Sequence, residues 1–106
     1  MSDIVSVYAV FADAEEAGRI GRAMIEARLA ACVNILGPCR SIYHWQGQIA
    51  EGEEVPAIFK TAAASADALM AAIAQAHSYD VPAIALWPVE RTLPSYAEWV
   101  TKICER

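Results

Sequence analysis

Arg28-Leu29-Ala30-Ala31-Cys32-Val33-Asn34-Ile35, then Ser41-Ile42-Tyr43-His44-Trp45-Gln46-Gly47-Gln48-Ile49, then Ile58-Phe59-Lys60-Thr61 carry in order a helix end, a strand, a hairpin turn and a returning strand. A helix ending in Leu29-Ala30-Ala31-Cys32 passes directly into a strand. That strand resumes beyond Gly37-Pro38, where glycine relaxes backbone limits and proline removes a ladder donor. From Arg40 to Trp45 the residues alternate, with Ser41, Tyr43 and Trp45 on one face and Ile42 and His44 on the other. Gln46-Gly47 is a tight hairpin turn, because glycine accepts the positive φ such turns need. The return strand runs from about Gln48 to Thr61. Pro56 cannot donate to a ladder, so it is expected at an edge or a bulge.

On the N-terminal side, Ile4 to Phe11 is a short apolar run rich in β-branched and aromatic residues, a largely buried strand. Asp13 starts a helix, and Glu16 three residues on completes a capping-box-like pair. Ala17, Ile20, Met24, Ala27 and Ala31 follow at helical spacing, with Arg19, Arg22, Glu26 and Arg28 largely opposite, so the apolar stripe packs on a sheet. On the C-terminal side, Ser65 caps a second helix carrying Ala66, Leu69, Ile73 and Ala76, ending near His77. Ala83 to Val89 is a fourth strand. Ser95 with Glu98 forms a second capping box, opening a last helix that carries Tyr96, Trp99, Val100 and Ile103.

The order is therefore β-α-β-β-α-β plus a C-terminal helix, an α+β ferredoxin-like fold with an extended hairpin between the second and third strands. Two helices cover one face of such a sheet. The other is left bare, and a neighbouring subunit is the economical cover. At 106 residues, 1–106 is expected to be one domain. A composition 57% hydrophobic and only 20% charged is rich for a small monomer.

These segments, with His77-x-Tyr79-x-x-Pro82 and Tyr96-x-x-Trp99 after them in order, resemble the CutA family of small trimeric proteins associated with tolerance of divalent cations. The resemblance covers nearly the whole chain. It implies a homotrimer packed sheet against sheet and a non-enzymatic role in divalent metal homeostasis, with copper the first ion to consider. Around the histidine the family pattern reads roughly His-Pro-Tyr-Glu-x-Pro-Glu. Here the chain has His77-Ser78-Tyr79-Asp80-Val81-Pro82-Ala83, which loses the first proline and, at Ala83, the last acid. Some members carry a cysteine near the end of the first strand and a second histidine beside this one. Val10 and Ala76 stand at those positions.

His77 is the first metal candidate, since imidazole suits copper and zinc. The plainer role is to cap the helix C-terminus. Cys32 as a thiolate would be a soft ligand for Cu(I), and as a thiol a small buried hydrophobe, the commoner state. Cys39 and Cys104 match no motif, and the three cysteines have neither disulfide nor zinc-ribbon spacing. Tyr43, His44 and Trp45 on the hairpin either line an inter-subunit cleft or anchor an interface, where tyrosine and tryptophan are enriched. Tyr79 and Trp99 belong to the same expectation. Lys60 either meets an anionic ligand or snorkels at a strand edge. Glu51, Glu53 and Glu54 either hold a hard cation loosely or form a solvated acidic loop that protects an edge.

A formal net charge of −5 argues against nucleic acid or an anionic membrane as partner. The N-terminus has no signal-peptide pattern and no run is long enough to span a bilayer, so the expected location is cytoplasmic. Serine-hydrolase, Walker, zincin and Rossmann signatures are absent. Two rival readings remain: a signalling trimer like the PII type, binding a small effector in inter-subunit clefts, and a small enzyme there using Lys60, His77 or Tyr43.

Overall fold

The computed structural model describes residues 2–105; Met1 and Arg106, the two ends of the single domain read from the sequence, lie outside the described residues. Along the chain come β1 (Ile4–Phe11), α1 (Ala14–Glu26), β2 (Cys32–Ile35), β3 (Cys39–Trp45) and β4 (Gln48–Ala62). A short 3-10 turn (Ala63–Ser65) leads into α2 (Ala66–Ala76), then β5 (Ile84–Pro88) and α3 (Pro94–Ile103). The sheet order is β2-β4-β1-β5, every pair antiparallel, and β3 pairs with the first half of β4. β2 and β3 thus run along β4 as one long strand interrupted at residues 36–38, where the register slips by one residue. Counted as one, they complete the α+β ferredoxin-like arrangement read from the sequence.

Pro56 departs from the expectation of an edge. β4 lies between β2 and β1, and Pro56 is opposite Val10. The backbone N and O of a strand residue point to the same side. The Pro56 carbonyl accepts from the Leu36 N–H at 2.9 Å, so its donor-less nitrogen faces the interruption between β2 and β3. A missing donor costs little where the neighbouring strand is already broken.

The first helix is shorter than its apolar spacing suggests, ending at Glu26 rather than Ala31. Arg28 takes a left-handed conformation (φ 59°), and the N–H groups of Leu29 and Ala30 both turn back to the Met24 carbonyl, at 3.0 and 3.4 Å. The turn delivers Ala30 and Ala31 into the core and lets the Ala31 N–H reach the Lys60 carbonyl at 2.9 Å. Sheet entry overrides helical spacing here. The other two helix starts also differ. Ser65 occupies the cap position of α2, but its side chain makes no capping hydrogen bond. α3 begins one residue before Ser95, with Leu93 as cap and Pro94 in the first turn. Proline suits that place because its fixed φ is helical and its missing N–H would have no partner there.

Val7, Ala9 and Phe11 of β1 join Val55, Ala57 and Phe59 of β4 beneath Ala17, Ile20 and Met24 of α1 and Leu69 and Ile73 of α2. A second cluster, Ile4, Ala31, Ala62, Val100 and Cys104, forms where α3 closes one end of the sheet. The alternate residues of the sheet are less covered: Tyr8, Val10 and Ile58 are half-buried, and Trp87 stacks on Tyr8 with centroids 4.7 Å apart. Beyond the sheet the β3–β4 hairpin projects as an arm, turning at Gln46 (φ 50°) and Gly47 (φ 78°). Two consecutive positive φ values match the twist of the flanking strands. The arm leaves Ile42 59% and Ile49 64% exposed.

Candidate functional site

At the base of the arm, where Phe11 ends β1 and His77 ends α2, several backbone groups lie beyond the reach of regular structure. The Asp13 carboxylate caps α1 by accepting the Glu16 N–H at 2.9 Å. Glu16, nearly fully buried, uses both oxygens: Oε1 accepts the Ala12 N–H at 3.0 Å and Oε2 the Ser78 N–H at 2.9 Å. Burial pushes its carboxyl up, but these hydrogen bonds outweigh it and hold the group below the usual carboxylate range. Glu16 therefore ties the start of α1 to the segment leaving α2.

His77 completes the tie. Only 8% exposed, it stacks on Phe11 with centroids 5.1 Å apart. β5 begins opposite Ala9, so the Val10 carbonyl lies just past its end, and the His77 Nε2–H donates to that carbonyl at 2.7 Å. Nδ1 accepts the Tyr79 N–H at 3.1 Å. A carbonyl needs a donor and an N–H needs a lone pair, so the ring is the neutral Nε2–H tautomer. Of the two roles the sequence left open to His77, metal ligand or structural group, this geometry supports the structural one, since both nitrogens serve backbone groups where the sheet ends.

Above this base lies an open cleft of about 640 Å³ between the arm and residues 79–83. Within one chain it gathers Tyr43, His44, Trp45 and Tyr79 with Glu54 and Asp80, while Lys60 and Trp99 lie outside it. The Tyr79 hydroxyl donates to Glu54 Oε2 at 2.8 Å. Burial, the Glu54 carboxylate and the neighbouring Tyr43 and Glu16 push this phenol up to about 12. Glu54, which the sequence offered only as part of an acidic run, is the one of those three acids that lines the cleft. Its signal was the alternation of β4, which puts it on the face shared with Tyr43 and Trp45.

The remaining candidates lie elsewhere. Cys32 is half-buried with its Sγ 3.3 Å from the Tyr96 hydroxyl on α3, and Tyr96 stacks against Trp99 at 6.0 Å. Burial and the Cys32 thiol push the Tyr96 phenol up to about 12. Lys60 pairs with Cys32 on one side and Ser6 on the other, so it occupies an interior strand and not an edge. Cys32 and His77 belong to opposite ends of the sheet and do not form a joint site. Among the described residues, no three His, Cys, Asp or Glu side chains gather as a metal-holding group. No helix among them is long and apolar enough to cross a membrane.

Comparison with known proteins agrees with this architecture. Residues 5–103 match the family described as CutA1 divalent ion tolerance protein. The divalent-cation tolerance protein CutA of Thermococcus kodakarensis is 36% identical over 101 residues, covering 95% of this chain and 96% of that protein. Mouse protein CutA is 40% identical over 89 residues, 84% of this chain but only 50% of the mouse protein, so the chain spans half the length of that relative. Among solved structures, CutA from Xylella fastidiosa superposes with a TM-score of 0.95 at 31% identity, covering 98% of this chain and 100% of that one. The periplasmic divalent cation tolerance protein CutA from Archaeoglobus fulgidus gives 0.93 at 33% identity, covering 96% and 99%. With the sequence motifs in order, the split strand and projecting arm in place and the match running almost end to end, the chain belongs to the CutA1 divalent ion tolerance protein family.

Proposed function

We propose that this protein acts as a non-enzymatic homotrimer in the cytoplasm, contributing to tolerance of divalent cations and binding copper weakly at surfaces shared between copies. The observation that carries the reading is the incomplete donor set of the cleft. His44, Glu54 and Asp80 line it, imidazole suits copper, and a stable site asks for more ligands than one chain brings there. Exposed Ile42 and Ile49, on the face of the arm away from Tyr43 and Trp45, favour burial against a second copy, which would carry further donors. Lys60 lies outside the cleft lining and both His77 nitrogens serve the backbone, which weighs against a catalytic constellation. Native mass spectrometry before and after substoichiometric Cu²⁺ tests it. A trimer that retains copper is the expected result; a monomer, or a trimer that releases the ion, overturns it.

A second reading has its own support. The cleft is large enough for a small organic molecule and its walls are mainly aromatic and aliphatic, features of ligand pockets more than of bare ion sites. In that reading the protein is an effector-binding trimer akin to the PII type.

A further inference from the structure

We infer that the cleft between the arm and residues 79–83 takes an organic ammonium, a small molecule with a protonated amine on an apolar body; this rests on the small-ligand reading above. Three aromatic side chains, Tyr43, Trp45 and Tyr79, line the space, and each remains more than a third exposed. An aromatic face attracts a cation through its quadrupole, tryptophan most strongly. Two carboxylates, Glu54 and Asp80, share the lining, and no lysine or arginine does. Among the described residues neither acid has a cationic partner; Arg40, the arginine on this arm, is paired with Glu51 at 2.8 Å.

The cleft thus combines negative charge with π-faces, and the one basic side chain in its lining is the His44 imidazole. Tyr79 engages one oxygen of Glu54, and a carboxylate has lone pairs to accept several donors. Burial first, and then the hydrogen bond and charge of Glu54 with Tyr43 and Glu16 behind it, push the Tyr79 phenol up, so a further negative charge is opposed here. An anionic ligand would meet repulsion here. A neutral apolar ligand would leave the two acids without a counter-charge. A bare divalent ion would leave the aromatic walls unused. An ammonium on an apolar body matches both features.

The test compares phenethylammonium with its neutral counterpart, phenethyl alcohol, by titrating each into ¹⁵N-labelled full-length protein. The three tryptophans provide resolved indole N–H signals, with only Trp45 in the cleft, Trp87 on β5 and Trp99 on α3. Saturable movement of the Trp45 signal is expected with the amine, at about three- to tenfold tighter affinity than with the alcohol. The Glu54→Gln/Asp80→Asn variant should narrow the gap between the two affinities to what the aromatic faces supply, and the glutamine oxygen can still accept the Tyr79 hydroxyl. Equal binding of amine and alcohol by the unaltered protein would overturn the ammonium class while leaving a small-ligand cleft standing. If neither compound moves Trp45, or if Trp87 or Trp99 moves instead, the cleft reading falls with the proposal. The comparison on the unaltered protein decides the matter even if the double variant does not fold.

Discussion

The Nε2–H of His77 donates to the carbonyl of Val10 at 2.7 Å, across 67 positions of sequence. One side chain thereby joins the C-terminus of α2 to the end of β1, and its other nitrogen holds the backbone of Tyr79 at the cleft wall. A buried group bound this way is a structural clasp.

Replacing His77 with alanine leaves the Val10 carbonyl and the Tyr79 N–H without their partner and opens space beside Phe11. The expected loss is about 2–4 kcal/mol, from one to two abandoned polar groups plus packing. Urea denaturation at fixed protein concentration measures it. Copper retained by the folded fraction should not change, since neither ring nitrogen is available in the native protein. A selective loss of copper with unchanged stability would make His77 a ligand after all.

Glu16 predicts a pH dependence. Its folded-state pKa is depressed, so between that value and the ordinary carboxylate pKa the folded protein binds fewer protons than the unfolded chain. The stabilisation is full above the ordinary carboxylate range and disappears as pH falls through the folded value. Glu16→Gln should cost about 1–2 kcal/mol at neutral pH, because hydrogen bonds to a charged acceptor are the stronger ones. The gap from the parent protein should close in acid. Denaturation midpoints across an acid series would show it, and a pH-independent gap would contradict it.

Tyr79 and Tyr96 predict the alkaline limb. Both phenols are raised from 10.0 to about 12, so each opposes ionisation in the folded state. Their contribution to stability is full below about 10 and lost as pH rises through about 12. Ultraviolet titration of phenolate absorbance should show two late-titrating tyrosines. Glu54→Gln should bring one of them down, because it removes the charge beside Tyr79.

Arg28 holds a φ of 59°, and its Nη1 donates to the Ile103 carbonyl at 3.2 Å. Arg28→Gly and Arg28→Ala both lose that exposed bond, but only alanine must keep a Cβ in the left-handed region. The glycine variant should be more stable than the alanine variant by about 1 kcal/mol. Equal melting temperatures would mean that the turn relaxes out of this conformation.

Much of the architecture was legible because it depends on local chemistry. Asp13 with Glu16 marked the start of α1, Gln46-Gly47 the hairpin turn, and Ser41, Tyr43 and Trp45 their shared face. The end of α1 was not legible: Ala27 and Ala31 continue the apolar spacing, and only the need of Ala31 to pair with Lys60 stops the helix at Glu26. Pro56 read as an edge or bulge residue because proline lacks a donor. Which strand it would have faced, and that this strand is interrupted at that point, is a relation between segments 20 residues apart.

The candidate site divides the same way. Tyr43, His44, Trp45 and Tyr79 could be named from residue type and resemblance, and the fold gathers them into one cleft. The sequence by itself determined the order of elements, the faces of its strands and the family, because periodicity, turn residues and motif order are properties of neighbouring positions. It took the fold to make His77 a clasp between α2 and β1, to bring the Tyr79 hydroxyl onto Glu54 and to set Cys32 apart from both. Hydrogen-bond satisfaction is settled by whatever group the fold brings within reach, and for His77 that group is a carbonyl 67 residues away.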